Sequence, residues 1–365
     1  MTARSAPTAS EATAWIDLAS PSHPFFFAAL ADGLPAVETE TTVREKTETV
    51  DLAAELGFEY RVRGRDFDNT LLRKLGIPLR TAQLAVDTPA ADVSLSSRNA
   101  MCVLASRARG IPSIHFTDND VTAHVEDLPF ETLYNRLEAA ATHSVVPAAF
   151  ETRELTKHGA SRERIHTYDG YKEDVYVADF EPDPSFPEAL PFDDYLVVRP
   201  EALDAAYVDE TRSLVPELLE GAVNRGENVV YLPRGRGDVE PAREYPSDRV
   251  YVPDRALDGL QLAWHARCVL TGSGTMAREA ACMGKPAVSF FPNALLSVDR
   301  ELVREGRVFH SRDARDVVDY VTGLSDADVR PDRSRCRAVR EEVVELTRRL
   351  IERETSARTP EPAAR

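Results

Sequence analysis

Lysine is nearly absent from this chain: Lys46, Lys74, Lys157, Lys172 and Lys285 are its only five, and arginine supplies the rest of 44 basic side chains. No basic patch stands against the formal net charge of −17, which repels phosphate backbones and anionic membrane surfaces, so no nucleic-acid partner is expected. An acidic, lysine-poor surface suits a cytoplasm full of salt, where carboxylates stay hydrated and their mutual repulsion is screened; a halophilic source is the resulting expectation. Long apolar runs are also missing, and a stretch such as PFFFAALA at 24–31 is far too short to span a bilayer. Cysteine is sparse. Cys102, Cys268, Cys282 and Cys336 stand apart in apolar surroundings, with neither CxxC spacing nor a signal peptide upstream. That pattern points to buried thiols in a reducing, cytoplasmic setting rather than to disulfides or a metal site. No repeat of short period is present, which excludes a solenoid.

What is present suffices for two packed cores: 43% of 365 residues are hydrophobic, and a single core stops growing beyond ~250–300 residues. Short apolar runs alternate with amphipathic stretches, the pattern of an α/β fold with helices covering a parallel sheet. AWIDLA (14–19) reads as a buried strand, and PFFFAALADGL (24–34) as a helix opened by proline and closed by glycine. DVSLSS (92–97), PSIHFTDND (112–120) and HSVVPA (143–148) read as further strands, and NAMCVLASRARG (99–110) as a helix closed by Gly110. LLRKLGIPLRTAQLAVDTPA is helical with a proline interruption. After a segment dense in proline and acid, the series restarts with the strands DYLVVRP (194–200), NVVYLPR (228–234) and RVYVPD (249–254) and the helix VDETRSLVPELLEGAVNRG (208–226). The expected division is a Rossmann-like domain over 14–180, a linker over 181–193 and a second such domain over 194–354 that includes an amphipathic helix at 333–354. Residues 1–13 and 355–365 are expected to be loose tails.

VLTGSGTMAREAACMGKPAVSFF (269–291) reads as strand, glycine turn, helix, second glycine turn and second strand. Gly272 and Gly274 let a ligand approach backbone N–H groups, Ser273 and Thr275 add hydroxyls, and the following helix aims its positive end at the turn. That combination favours phosphate. Glu279 lies four residues after Thr275, on the same helix face, where a carboxylate could accept both hydroxyls of a ribose. The competing explanation is structural, since glycine and serine serve many strand-to-helix turns, and an acid in a first turn complements the dipole.

The longer stretch DGLQLAWHARCVLTGSGTMAREAACMGKPAVSFFP resembles the nucleotide-binding motif in the C-terminal half of GT-B enzymes, which include many glycosyltransferases and the non-hydrolysing UDP-N-acetylglucosamine 2-epimerases. WIDLASPSHPFF, IPSIHFTDND, HTYDGYKEDVYVADFEPD, YLVVRPE and GSGTMAREAACMGKPA, spread over 14–354, resemble an archaeal and bacterial GT-B-like family of unknown function. The resemblance implies two Rossmann-type domains facing a central cleft. It sets Ser273, Gly274 and Thr275 against a diphosphate and Glu279 on the ribose, with a nucleotide-diphosphate sugar, first a UDP-sugar, as substrate and no tightly bound cofactor. Two departures bear on mechanism. Where the epimerases carry a His-Gly-Asp-Thr-like turn, this chain has Ser96, Ser97, Arg98 and Asn99, and the epimerase histidine-arginine pair is reduced to Arg199. Epimerisation needs acid and base groups, so glycosyl transfer ranks first, 2-epimerisation second and non-catalytic sugar-nucleotide binding third.

Asp118, Asn119 and Asp120 follow a strand end, where a carboxylate could serve as general base or hold sugar hydroxyls; an Asx-type turn explains them nearly as well. His23 lies between the first strand and its helix, and it joins Asp118 as a catalytic candidate. Arg98, Asn119, Asp120, His124 and Lys172 are assigned to the acceptor or sugar side, and Arg199 and Arg234 to the diphosphate. A lone surface histidine or a hinge salt bridge remains the plainer explanation of His23, His124 and Lys172. No metal is assigned. The acceptor is a glycan or a lipid-linked molecule, any membrane contact is weak, and the terminal helix is long enough to cross both domains or to pair two copies.

Overall fold

The computed structural model describes residues 12–45, 47–65, 70–125, 129–203 and 212–358. Seven parallel strands build the first sheet: β1 (Ala12–Leu18), β2 (Val37–Glu45), β3 (Tyr60–Arg65), β4 (Val93–Ser97), β5 (Ser113–Phe116), β6 (His143–Pro147) and β7 (Ile165–Tyr168). Their order is β3-β2-β1-β4-β5-β6-β7. The crossovers run through α1 (His23–Asp32), α2 (Thr47–Glu55), α3 (Thr70–Asp87), α4 (Ala100–Arg109), α5 (Pro129–Glu138) and α6 (Arg153–Lys157), and α7 (Lys172–Val177) follows β7.

The second sheet is formed by β8 (Leu196–Arg199), β9 (Val229–Tyr231), β10 (Val250–Tyr251), β11 (Cys268–Thr271), β12 (Ala287–Ser289) and β13 (Val308–His310), parallel in the order β10-β9-β8-β11-β12-β13. Around it lie α8 (Val215–Asn224), α9 (Glu240–Arg243), α10 (Gly259–His265), α11 (Gly274–Cys282), α12 (Ser297–Arg304) and α13 (Ala314–Thr322), and α14 (Ser334–Arg358) ends the described chain. Strands covered on both faces must be apolar nearly throughout, and β8 (LVVR) and β11 (CVLT) are buried along their length except for Arg199. Each sheet reverses its strand order once, beside β1 and beside β8, and such reversals open the crevices where α/β sheets hold ligands.

Local chemistry explains the element ends. Asn99 accepts the Cys102 N–H at 3.3 Å to cap α4, and Gly110 closes that helix in the left-handed region at φ 66°. Asp258 caps α10 through the Leu260 and Gln261 N–H groups. Two expectations are corrected. α3 runs unbroken through Pro78 rather than being interrupted there. β5 stops at Phe116, because the following residues enter a side-chain-capped turn instead of extending to 120. The short strands β7 (IHTY) and β13 (VFH), which carry too few apolar residues to announce themselves, complete the sheet edges. All four cysteines are free and buried, and burial pushes the Cys268 thiol up to about 12. Among the described residues no helix is long and apolar enough to cross a membrane.

The chain separates into two compact units, one comprising the described residues up to Tyr176 and from Ala338 onward, the other Val177–Arg337. The proline-rich segment expected to be a free linker is bound to α10 inside the second unit. Gln261 accepts the Asp183 N–H at 2.9 Å and donates to Glu181 O at 2.9 Å, and the Phe186 ring stacks on His265. Most of α14, expected in the second domain, packs with the first unit. A Cβ at Gly33 would stand 2.5 Å from Val344, Arg340 pairs with Asp32 at 2.8 Å, and Glu354 reaches His143 at 2.9 Å. The expected tails at 1–13 and 355–365 fall mostly outside the described residues; within them, β1 begins at Ala12 and α14 continues to Arg358.

A buried polar network ties the first sheet together at its strand reversal. Asp17 on β1 accepts from Thr42 on β2 at 2.6 Å, Arg80 on α3 at 2.9 Å and Asn99 at 2.7 Å, and Trp15 donates to the same Thr42 at 2.9 Å. The Asp17 and Arg80 side chains are 0% and 3% exposed, so removing one strands the other's charge. Asp17→Ala is therefore expected to lose about 3–5 kcal/mol of unfolding free energy in a denaturant titration, and Asp17→Ala with Arg80→Leu to recover part of it. Equal loss in the single and double variants would show that the ion pair is not the source.

Candidate nucleotide and acceptor sites

In the second unit the carboxyl ends of β8 and β11 meet. The Gly272 N–H donates to Arg199 O at 3.0 Å, and a Cβ on Gly272 would stand 2.6 Å from Glu201 Cα and 2.7 Å from Glu201 N. Only glycine fits there, because backbone cannot yield as a flexible side chain can. The Ser273 N–H donates to Thr271 Oγ1 at 2.8 Å, and α11 begins at Gly274. Ser273, Gly274, Thr275 and Glu279 are half-buried, with Thr275 and Glu279 one turn apart on one helix. The interior side of α11 is fixed by Arg278, which donates to Asp299 at 2.9 Å.

Arg199 ends β8 half-buried beside this turn, and among the described residues no side-chain or backbone acceptor engages its guanidinium. Arg234 differs, since its Nε donates to Pro200 O at 2.8 Å and so braces the same loop. Glu201 received no role from the sequence. Its carboxylate is fully buried and accepts from Ser213 Oγ at 2.8 Å, the Leu214 N–H at 3.0 Å and Arg312 at 2.5 Å. Arg312 also donates to Phe290 O at 2.9 Å, so one ion pair joins the loops after β8, β12 and β13. The available signal was the carboxylate two residues after Arg199 in VVRPE.

At the carboxyl ends of the first sheet, Lys172 Nζ lies 3.5 Å from Asp118 Oδ2, with both side chains nearly buried. His23, the first residue of α1, is buried as well. Burial, followed by the charges of Lys172 and His115, pushes its pKa down to about 3. The neighbouring candidates have partners of their own. Arg98 is the one non-glycine residue with positive φ among those described, at 42°, and α5 holds it there. Its guanidinium reaches Asn135 at 2.6 Å and the carboxylates of Glu131 and Glu138, and lies 5.1 Å from the Tyr134 ring centre. Burial would raise the Glu138 carboxyl, but Arg98 and His115 hold it below its usual range. Asn119 Oδ1 accepts the Val121 N–H at 3.1 Å, the Asx-type turn anticipated as the plainer explanation. Asp120 accepts the Glu151 N–H at 3.0 Å and faces His124 at 3.5 Å. Asp118 and Lys172 thus form a pair whose charges bear on His23, while Asn119, Asp120 and His124 shape the loop that carries Asp118.

A family model described as a protein of unknown function, DUF354, matches residues 12–354. The chain belongs to the DUF354 family. An uncharacterized protein of Methanocaldococcus jannaschii, MJ0665, is 32% identical to this DUF354 member over 127 residues, covering 34% of this chain and 36% of that protein. Solved structures share the GT-B fold. The Staphylococcus aureus MnaA–UDP complex aligns with a TM-score of 0.68 at 14% identity, covering 97% of this chain and 100% of that one. The M. jannaschii UDP-GlcNAc 2-epimerase in complex with UDP-GlcNAc and UDP aligns with a TM-score of 0.65 at 13% identity over 93% and 99%. Anabaena Alr3699/HepE in complex with UDP and glucose aligns with a TM-score of 0.62 at 14% identity over 94% and 99%.

The crowding at Gly272 is directly testable. Gly272→Ala is expected to cost about 1–3 kcal/mol in denaturant unfolding, as overpacking against backbone does. Gly274→Ala should cost less, because its nearest neighbour, at 2.9 Å, is the end of the Arg278 side chain rather than backbone. Equal stability of the two variants would remove the argument that close approach to Glu201 demands glycine.

Proposed function

We propose that this DUF354 protein is a cytoplasmic glycosyltransferase-like enzyme. It binds a nucleotide-diphosphate sugar on its second unit and transfers the sugar to a hydroxyl of a glycan or lipid-linked acceptor recognised by its first. The observation that carries the reading is Arg199, a half-buried guanidinium with no acceptor among the described residues, set beside a glycine turn that opens a helix. A helix N-terminus and an uncommitted arginine together suit the oxygens of a diphosphate. Ser273 and Thr275 supply hydroxyl donors, and Glu279, one turn along, suits the ribose hydroxyls. Similar folds hold UDP, UDP-GlcNAc or UDP with glucose, which supports a UDP-sugar as the first candidate.

During transfer, negative charge grows on the departing diphosphate, and the α11 N-terminus with Arg199 would stabilise it. The acceptor hydroxyl must lose a proton. Asp118, a carboxylate with Lys172 at 3.5 Å, is the group proposed to take it. Epimerisation is the second reading, favoured by the likeness to UDP-GlcNAc 2-epimerases. Transfer ranks above it because Arg98, within the stretch that takes the place of the epimerase turn, is committed to Glu131 and Glu138.

Calorimetric titration of UDP, GDP and dTDP, with their sugar conjugates, in concentrated KCl tests the reading. Arg199→Ala should weaken the preferred nucleotide by about 10–100-fold, as loss of a charge-assisted bond to phosphate does, and Glu279→Ala by about tenfold. A folded wild-type protein that binds none of them sinks the proposal. Formation of the 2-epimer with no acceptor added would move the assignment to epimerisation.

A further inference from the structure

His23 is a buried histidine whose two nitrogens have different surroundings. Its Nδ1 accepts the Ala19 N–H at 3.1 Å, across the loop between β1 and α1. A backbone amide is always a donor, so Nδ1 has no room for a proton, and the neutral ring must carry its hydrogen on Nε2. Among the described residues no acceptor engages Nε2. The ring is 3% exposed and set edge-on to Phe27, with centroids 6.3 Å apart at 84°. Lys172 on α7, His115 on β5, Asp118 after β5 and Arg80 on α3 are the charged and titratable groups bearing on it.

From this geometry we infer that His23 is a permanently neutral hydrogen-bond donor, which offers Nε2–H to an uncharged hydroxyl oxygen of a sugar or polyol at the carboxyl ends of the first sheet. A general-base role is excluded by the same arrangement, because Nε2 carries the proton and Nδ1 is occupied. Charge decides the class of ligand. Arg80 faces Asp17 at 2.9 Å, Lys172 faces Asp118 at 3.5 Å and Arg98 faces Glu131 and Glu138, so the cations at this end already meet carboxylates. A phosphate or carboxylate ligand would compete with those pairs, whereas a hydroxyl accepts from Nε2–H without disturbing them. Burial first, then the neighbouring cations, oppose a second proton and hold the His23 pKa down at about 3. The donor therefore stays unchanged as pH falls through the range where an ordinary histidine charges, near 6.5. Only the identity of the hydroxyl as the transfer acceptor rests on the proposed glycosyl transfer; the tautomer and the hydroxyl site stand without it.

The test is long-range proton–nitrogen correlation NMR on the full-length protein labelled with nitrogen-15 histidine, with the His23 signals assigned from a His23→Gln variant. The expected result is a neutral Nε2–H pattern unchanged between pH 8 and pH 5, within the range where an ordinary histidine would titrate. Titration with methyl glucoside, galactoside, mannoside and glycerol should shift Nε2 saturably for at least one of them, and inorganic phosphate should not. His23→Gln, whose amide nitrogen can take the place of Nε2, should hold that probe within about threefold, and His23→Asn should lose about tenfold or more. A histidine that titrates near 6.5, or a neutral Nδ1–H form, overturns the donor assignment. Silence with every neutral probe, or a saturable shift with phosphate alone, overturns the hydroxyl assignment. The UDP calorimetry reads the second unit separately. Lost nucleotide binding with retained glycoside binding would refute the transferase and leave this site standing, and the reverse would refute only this site.

Discussion

The backbone of Glu201 comes so close to Gly272 that no side chain fits between them, and its buried carboxylate draws Ser213, the start of α8 and Arg312 onto the same point. That contact gives the glycine turn its shape. With β8 and β11 hydrogen-bonded side by side, the Gly272 N–H is spent on Arg199 O, and the turn must pass directly into α11. The direction of the α11 N-terminus and the position of the Arg199 side chain both follow from it. A buried carboxylate with three donors is a rigid anchor, since losing any of them would leave charge unmatched in a poorly solvated place.

The first unit uses the same device with different residues. Asp17 stands in β1 at the strand reversal and binds Thr42, Arg80 and Asn99, so three neighbouring elements are registered on one carboxylate. α5 then braces the loop after β4 from outside, with Tyr134 donating to Arg98 O at 3.3 Å and accepting the Ala100 N–H at 3.2 Å. Held in this way, Arg98 can remain at positive φ, and Glu138 passes the restraint on to His115. Near the carboxyl ends of the strands lie His23 and the Asp118–Lys172 pair in one unit, and Arg199 with the Ser273–Thr275 turn in the other.

Much of this was legible in the chain. β1, β8 and β11 announce themselves because strands covered on both faces are largely apolar, and α1 and α4 because glycine closes both and proline opens the first. The turn around Gly272 stood out because glycines and small hydroxyl residues stand between a strand and a helix. The short edge strands β7 and β13 did not, since IHTY and VFH hold too few apolar positions to separate from loop. The segment around Pro182 reads as linker by composition, yet its backbone is satisfied by Gln261 and His265, nearly 80 residues away. Proline content reports what a segment cannot form within itself, and is silent on what it docks against.

Which strands form, where helices begin and where a backbone must be bare are local properties, governed by neighbours within a few residues, and the chain alone determined them. Which charges remain available was decided only in three dimensions. Arg98 and Arg199 look alike in sequence, each at a strand end in a chain crowded with arginine. One is consumed by Glu138, 40 positions away, while the other meets no acceptor among the described residues. Glu201 acquires its part only because Arg312, 111 positions on, arrives beside it. Ion pairing depends on distance in space and on exclusion of water, and neither quantity is set until the chain has folded.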